Sequence, residues 1–144
     1  MPDSPSPSPG RDAIVAANDA TYAAWNAHDP DAVVAVFAED AVVVDNGVGE
    51  VRGRDAIRTR VTAMLAAFPD LRLERNLLLI DEGGNADEWV LTGTHRGEYF
   101  GIAPTGRKVE VHGATFSRFG DDGLVVHDTN YIDVQGLLNQ LAPG

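Results

Sequence analysis

The sequence predicts an α+β domain whose helices cover one face of a curved sheet. Three observations carry this reading. Helical periodicity dominates the first half of the chain, four long β-rich segments follow between Leu71 and Val134, and Gly-containing turns separate those segments. A sheet bent around a helix makes a cone, whose open end is a ready pocket and whose outer face is left for solvent or a partner subunit. At 144 residues and 44% hydrophobic content, the chain can bury one substantial core, which implies a single domain over residues 11–144.

Residues 1–10 alternate Pro and Ser and bury almost nothing, so a disordered tail is expected there. From Asp12, the residues Ile14, Val15, Tyr22 and Trp25 recur near helical spacing until His28-Asp29-Pro30 stops the pattern, giving a helix of about 16 residues. Asp31 to Phe37 suggests a second, short helix with Ala32, Val33, Val36 and Phe37 inward, ending at Glu39-Asp40. Ala41 to Asp45 is β-branched and reads as a strand, followed by a turn through Gly47 and Gly49. A third helix runs from about Arg54 to Phe68, with Ile57, Val61, Met64, Leu65 and Phe68 on one side and Pro69 closing it. Strands are expected at Leu71–Ile80, Ala86–Thr94, Lys108–Phe119 and Leu124–Val134, then a last helix at Gly136–Leu141.

Composition excludes several classes of function. A net charge of −11 repels nucleic acid and anionic membrane. The basic run Arg52-Gly53-Arg54 with Arg58 and Arg60 is interleaved with acids and reads as solvated helix surface. The absence of cysteine rules out disulfides, thiolate metal sites and a thiol nucleophile, and fits a reducing, cytoplasmic setting. No apolar run reaches the roughly 20 residues a membrane span needs, and no secretory signal pattern is evident.

The candidate chemistry lies in the last hairpin. Gly120-Asp121-Asp122-Gly123 reads as a four-residue loop, so that Phe119 faces Leu124. With that register the apolar face collects Val109, Val111, Gly113, Thr115, Ser117 and Phe119 with Leu124, Val126, Asp128, Asn130, Ile132 and Val134, while Val125 faces outward. Asp128 and Asn130 are the polar exceptions, and Thr115 lies opposite Asp128. Burying an unpaired carboxylate costs several kcal/mol, so Asp128 is expected to be hydrogen-bonded or partly protonated near neutral pH, poised to accept and return a proton. His112 joins the interior only if a bulge near Gly113 exchanges the faces. In the preceding strand, Trp89 and Leu91 read as pocket wall, and His95 reaches toward the pocket mouth. From the first helix, Tyr22 and Trp25 share the inward side.

Other chemistries lack their residues. No Gly-rich phosphate loop follows a strand, no Gly-x-Ser-x-Gly surrounds a serine, and the four histidines are too scattered to chelate a metal. Neither a metal nor a cofactor is expected. What remains is acid/base catalysis without a cofactor, or binding alone.

Phe68-Pro69-Asp70-Leu71, Thr92-Gly93-Thr94-His95-Arg96-Gly97-Glu98, Gly101-Ile102-Ala103-Pro104-Thr105-Gly106-Arg107, Val109-Glu110-Val111 and Tyr131-Ile132-Asp133 occur in that order, before Gly136-Leu137-Leu138-Asn139-Gln140-Leu141. This order resembles the SnoaL-like polyketide cyclase family of the NTF2-like superfamily, over Arg11 to Leu141. The resemblance implies an α+β cone, commonly dimeric through its sheet, with a hydrophobic pocket for a small apolar molecule. It also implies an aspartate on the last strand as general acid/base in an intramolecular aldol cyclisation, which Asp128 matches. A histidine on the neighbouring strand belongs to that pattern, and Thr115 stands there instead. Alternatives on the same scaffold are a binding module for a hydrophobic metabolite, or a hydrolase, isomerase or hydroxylase.

Overall fold

The computed structural model describes residues 10–143; the expected Pro/Ser tail, Gly10 apart, lies outside them. Gly10 caps α1 (Arg11–Asn26). Asp29 then accepts the backbone N–H of Ala32 and Pro30 occupies the first turn, which starts α2 at once (Pro30–Val34). This helix stops three residues earlier than its apolar periodicity suggests. Phe37 pairs with Val125 and begins β1 (Phe37–Asp45), so sheet pairing overrides local helical spacing. Gly47, at φ +80°, turns the chain into a four-residue strand, β2 (Gly49–Arg52), which is too short and too exposed to alternate visibly in sequence.

The remaining elements lie close to expectation: α3 (Arg54–Ala67), β3 (Arg72–Asp81), β4 (Gly84–Thr94), β5 (Lys108–Phe119), β6 (Val125–Ile132) and α4 (Val134–Leu141). They form one six-stranded sheet in the order β2-β1-β6-β5-β4-β3. All neighbours are antiparallel except β1 and β6, a parallel pair that closes over a long connection. Two apolar clusters fill the space between sheet and helices. One joins α2, β1 and α3 around Val33, Val43, Ile57 and Val61, the other joins β4, β5 and α4 around Phe68, Leu71, Trp89 and Leu141. No helix among the described residues is long and apolar enough to cross a membrane.

The last hairpin corrects the expected register. Gly120 N–H bonds Leu124 C=O at 2.8 Å, Phe119 pairs with Val125, and an irregularity between Arg118 and Phe119 shifts the pairing again. Ser117, not Thr115, therefore faces Asp128, and Thr115 pairs with Asn130. Around the irregularity the faces exchange, so Val125 is buried and Val126 is exposed, the reverse of the sequence reading. Beyond it the total slip is two residues, which restores every side chain to its original face. Asp128 and Asn130 consequently remain inward.

Candidate active site

A cavity of about 100 Å³ lies between the two clusters, walled by α1, α3 and the inner face of the sheet. Asp128, Asn130, Tyr22, Trp25 and Trp89 line it, as do Asp87, Asn85, Ser117, Arg60 and Asn18. Asp128 Oδ1 is inaccessible to solvent and has no hydrogen-bond partner among the described residues. Burial pushes its carboxyl up to about 7; Ser117 and Arg60 oppose that rise, and the charges of Asp87 and Asp45 add to it. Near neutral pH the group therefore exists in both protonation states, the condition for taking a proton and giving it back.

Two polar chains flank Asp128. On the α1 side, the Tyr22 hydroxyl donates to Asp87 Oδ2, and Asn85 Nδ2 donates to Asp87 Oδ1 at 3.1 Å. Burial raises the Asp87 pKa, partly offset by these donors, by Asn18 and by the Arg75 charge. Tyr22 is pushed up by burial and by the same carboxylate, which fixes it as the donor of the pair. Arg75 reaches Asn18 Oδ1 at 2.6 Å and Asp19 at 2.8 Å, tying this chain to the helix. On the other side, Trp89 Nε1 donates to Thr115 Oγ1 at 2.9 Å, and Thr115 donates to Asn130 Oδ1 at 2.7 Å. Asn130 Nδ2 donates to Asp45 Oδ1 at 2.9 Å, and Arg60 grips Asp45 through two bonds of 2.6 Å. Much of the remaining lining is apolar, with Val33, Phe37, Val43, Ile57 and Leu91 among its side chains.

Two expected site residues lie elsewhere. His95 does not reach the pocket mouth, because β4 ends at Thr94 and the alternation ends with it. It is fully buried against Phe68, its Nδ1 lies 3.0 Å from Thr105 Oγ1 and 3.2 Å from the Thr105 N–H, and it closes the 95–107 loop. His112 sits on the outer face, 3.1 Å from Glu110, since pairing with β4 runs unbroken past Gly113 and no bulge turns it inward. Arg60 is corrected in the opposite sense: it is turned into the cavity and ion-paired with Asp45, whereas its neighbour Arg58 is the expected half-exposed helix residue beside Asp31.

A model of the SnoaL-like polyketide cyclase family matches residues 15–141. The chain belongs to this family. Among solved structures it is similar to AclR of Streptomyces galilaeus, a proposed hydroxylase, at 31% identity and a TM-score of 0.82, covering 94% of this chain and 85% of that one. IdmH of Streptomyces antibioticus, a proposed polyketide cyclase, is 26% identical with a TM-score of 0.76, covering 89% and 97%. A Catenulispora acidiphila protein with a ketosteroid isomerase-like fold, solved with trimethylamine, is 25% identical with a TM-score of 0.74, covering 86% and 90%. No curated protein matches the chain.

In this SnoaL-like domain the polar residues beyond Asp128 and Asn130 differ in how visible they are. Asp87 precedes Trp89 by two positions in β4, so strand alternation places both on the inner face; that signal was available in the sequence. Arg60 and Asp45 carried none, because their pairing joins α3 to β1. Gly113 matters for shape. A Cβ there would lie 2.4 Å from the Trp89 ring and 2.9 Å from Tyr131 C=O. Gly113→Ala is therefore expected to push the indole off its bond to Thr115 and to cost about 1–3 kcal/mol, the usual range for overpacking. Urea unfolding together with the near-ultraviolet signal of the tryptophans measures both effects; an unchanged midpoint and spectrum would refute the packing argument.

Proposed function

We propose that this SnoaL-like domain is an enzyme that runs acid/base chemistry without a cofactor on a small carbonyl substrate, most simply an intramolecular aldol cyclisation of the polyketide-cyclase type. Asp128 removes a proton α to a carbonyl, the enolate carbon attacks a second carbonyl, and the resulting alkoxide recovers a proton from the acid. One observation carries this reading: the buried, unpartnered Oδ1 of Asp128 in the cavity, on a carboxyl raised to about 7. Tyr22, Trp25 and Trp89 would bound the substrate, with Asn130 as a donor toward its oxygen. The functional unit on this reading is a homodimer through the outer sheet face, where Phe116, Tyr131, Leu77 and Leu79 are exposed.

Incubation with aromatic polyketide esters is expected to give a cyclised product of unchanged mass. The likeness to AclR favours a second reading, in which the same enolate carbon is hydroxylated by dioxygen, one oxygen atom entering the product and the other leaving as water at the expense of a two-electron reductant. Retention of unchanged ester at micromolar affinity would instead make the domain a binding module and overturn both enzymatic readings.

A further inference from the structure

We propose that Arg60, held by Asp45 and joined by Asn130, forms an oxyanion site in the cavity for the two oxygens of an enolised 1,3-dicarbonyl substrate. Asp45 Oδ1 is the shared anchor. It accepts Arg60 Nη2 at 2.6 Å and Asn130 Nδ2 at 2.9 Å, so one carboxylate oxygen brings the guanidinium and the amide side by side. Arg60 Nε takes the second Asp45 oxygen, which leaves Nη1 without a hydrogen bond among the described residues. One N–H of Asn130 Nδ2 is likewise unused, because an amide nitrogen carries two. Both residues line the cavity that Asp128 lines. In the parallel pairing of β1 with β6, Asp45 lies beside Asn130 and Val43 beside Asp128, which puts the base one same-face step along β6 from the donors.

Charge selects the substrate class. Asp87 and Asp128 line this cavity, and Asp45 behind it already offsets the Arg60 charge, so a permanently anionic ligand would be repelled. A neutral dicarbonyl avoids that cost. When its central C–H proton passes to the Asp128 carboxylate, the C–H electron pair becomes the enolate π system, the negative charge moves to the oxygens, and the net charge of the site is unchanged. Two donors side by side suit two oxygens that share one charge, as a bidentate guanidinium suits a carboxylate. The cavity volume of about 100 Å³ fits such a compact head, with any larger body extending from the mouth. Arg60 is thus a catalytic residue and Asp45 a positioning residue. The inference rests on Asp128 as the base.

Acetylacetone is a suitable probe, because its bound enolate is read directly from its ultraviolet band. The full chain is expected to raise the enolate fraction. Arg60→Gln should weaken enolate binding about 10²-fold, in line with loss of one preorganised donor, and Arg60→Lys should recover part of it. Asp45→Asn, which keeps the guanidinium but loosens its anchor, should fall between wild type and Arg60→Gln. If Arg60→Gln does not fold by circular dichroism, Asp45→Asn and Arg60→Lys carry the test alone. Enolate binding by folded Arg60 or Asp45 variants equal to wild type overturns the oxyanion site, as does failure of wild type to bind the enolate at any pH. Asp128→Asn separates the two assignments when studied at a pH where acetylacetone is already ionised. Arg60-dependent binding of the preformed enolate by that variant supports the oxyanion site. If Asp128→Asn also generates enolate from the neutral probe as well as wild type does, the base assignment fails and the oxyanion site stands.

Discussion

Replacing Asp128 by Asn is expected to lower turnover about 10²- to 10⁴-fold, the range a positioned general base supplies, while making the protein more stable at alkaline pH. The two effects have one cause. A carboxyl raised from 3.8 to about 7 by burial binds its proton more tightly in the folded than in the unfolded chain. Its contribution to stability is therefore fully present below about pH 4 and is lost as the pH rises through 7. At 1.36 kcal/mol per unit, the whole swing is roughly 4 kcal/mol. Asparagine has no charge to bury, so urea midpoints of the variant and the wild type should coincide below about pH 4, diverge between about pH 4 and 7 and stay apart above that, with the variant higher. Parallel midpoints between pH 5 and 9 would show that the carboxyl is solvated, and the case for a proton-transfer role would fall with it. The pH–rate profile reports the same group, since the base must be ionised: activity should rise on an acid limb near pH 7.

Phe68→Ala should produce the largest loss of stability among core substitutions of this kind, about 3–5 kcal/mol by denaturant unfolding. Phe68 ends α3 with no solvent exposure, and its ring packs 5.8 Å from His95 and edge-on 5.3 Å from Tyr99. Gly93 leaves it space, since a Cβ there would already approach the Phe68 Cβ to 3.0 Å. The neighbouring Ala67 C=O accepts the backbone N–H groups of Arg96 and Gly97, so this corner pins the 95–107 loop to the helix. Truncation should also speed protease cleavage in the Gly97–Gly106 segment. A cost below about 1 kcal/mol would mean that the corner collapses around the missing ring.

The sequence determined the architecture because its signals are local and periodic. Apolar spacing set α1 and α3, long strand-like segments separated by Gly-containing turns set β3 to β6, and Asp29-Pro30 marked the break between α1 and α2. It also placed Asp128 and Asn130 on the inner face. That held although the register was two residues off, because strand facing repeats every two residues and an even slip leaves it intact. Near the hairpin loop the slip is odd, and there Val125 and Val126 exchanged places.

Tertiary structure alone decided what surrounds Asp128. The parallel pairing of β1 with β6 brings Asp45 beside Asn130 across 85 residues of chain, and Asp45 then draws Arg60 from α3 into the cavity. Tyr22 finds Asp87 across 65 residues in the same way. Such partners share no period and no motif, so no window of sequence contains both. Periodicity records which side of an element is buried; only the closed fold determines which buried groups meet.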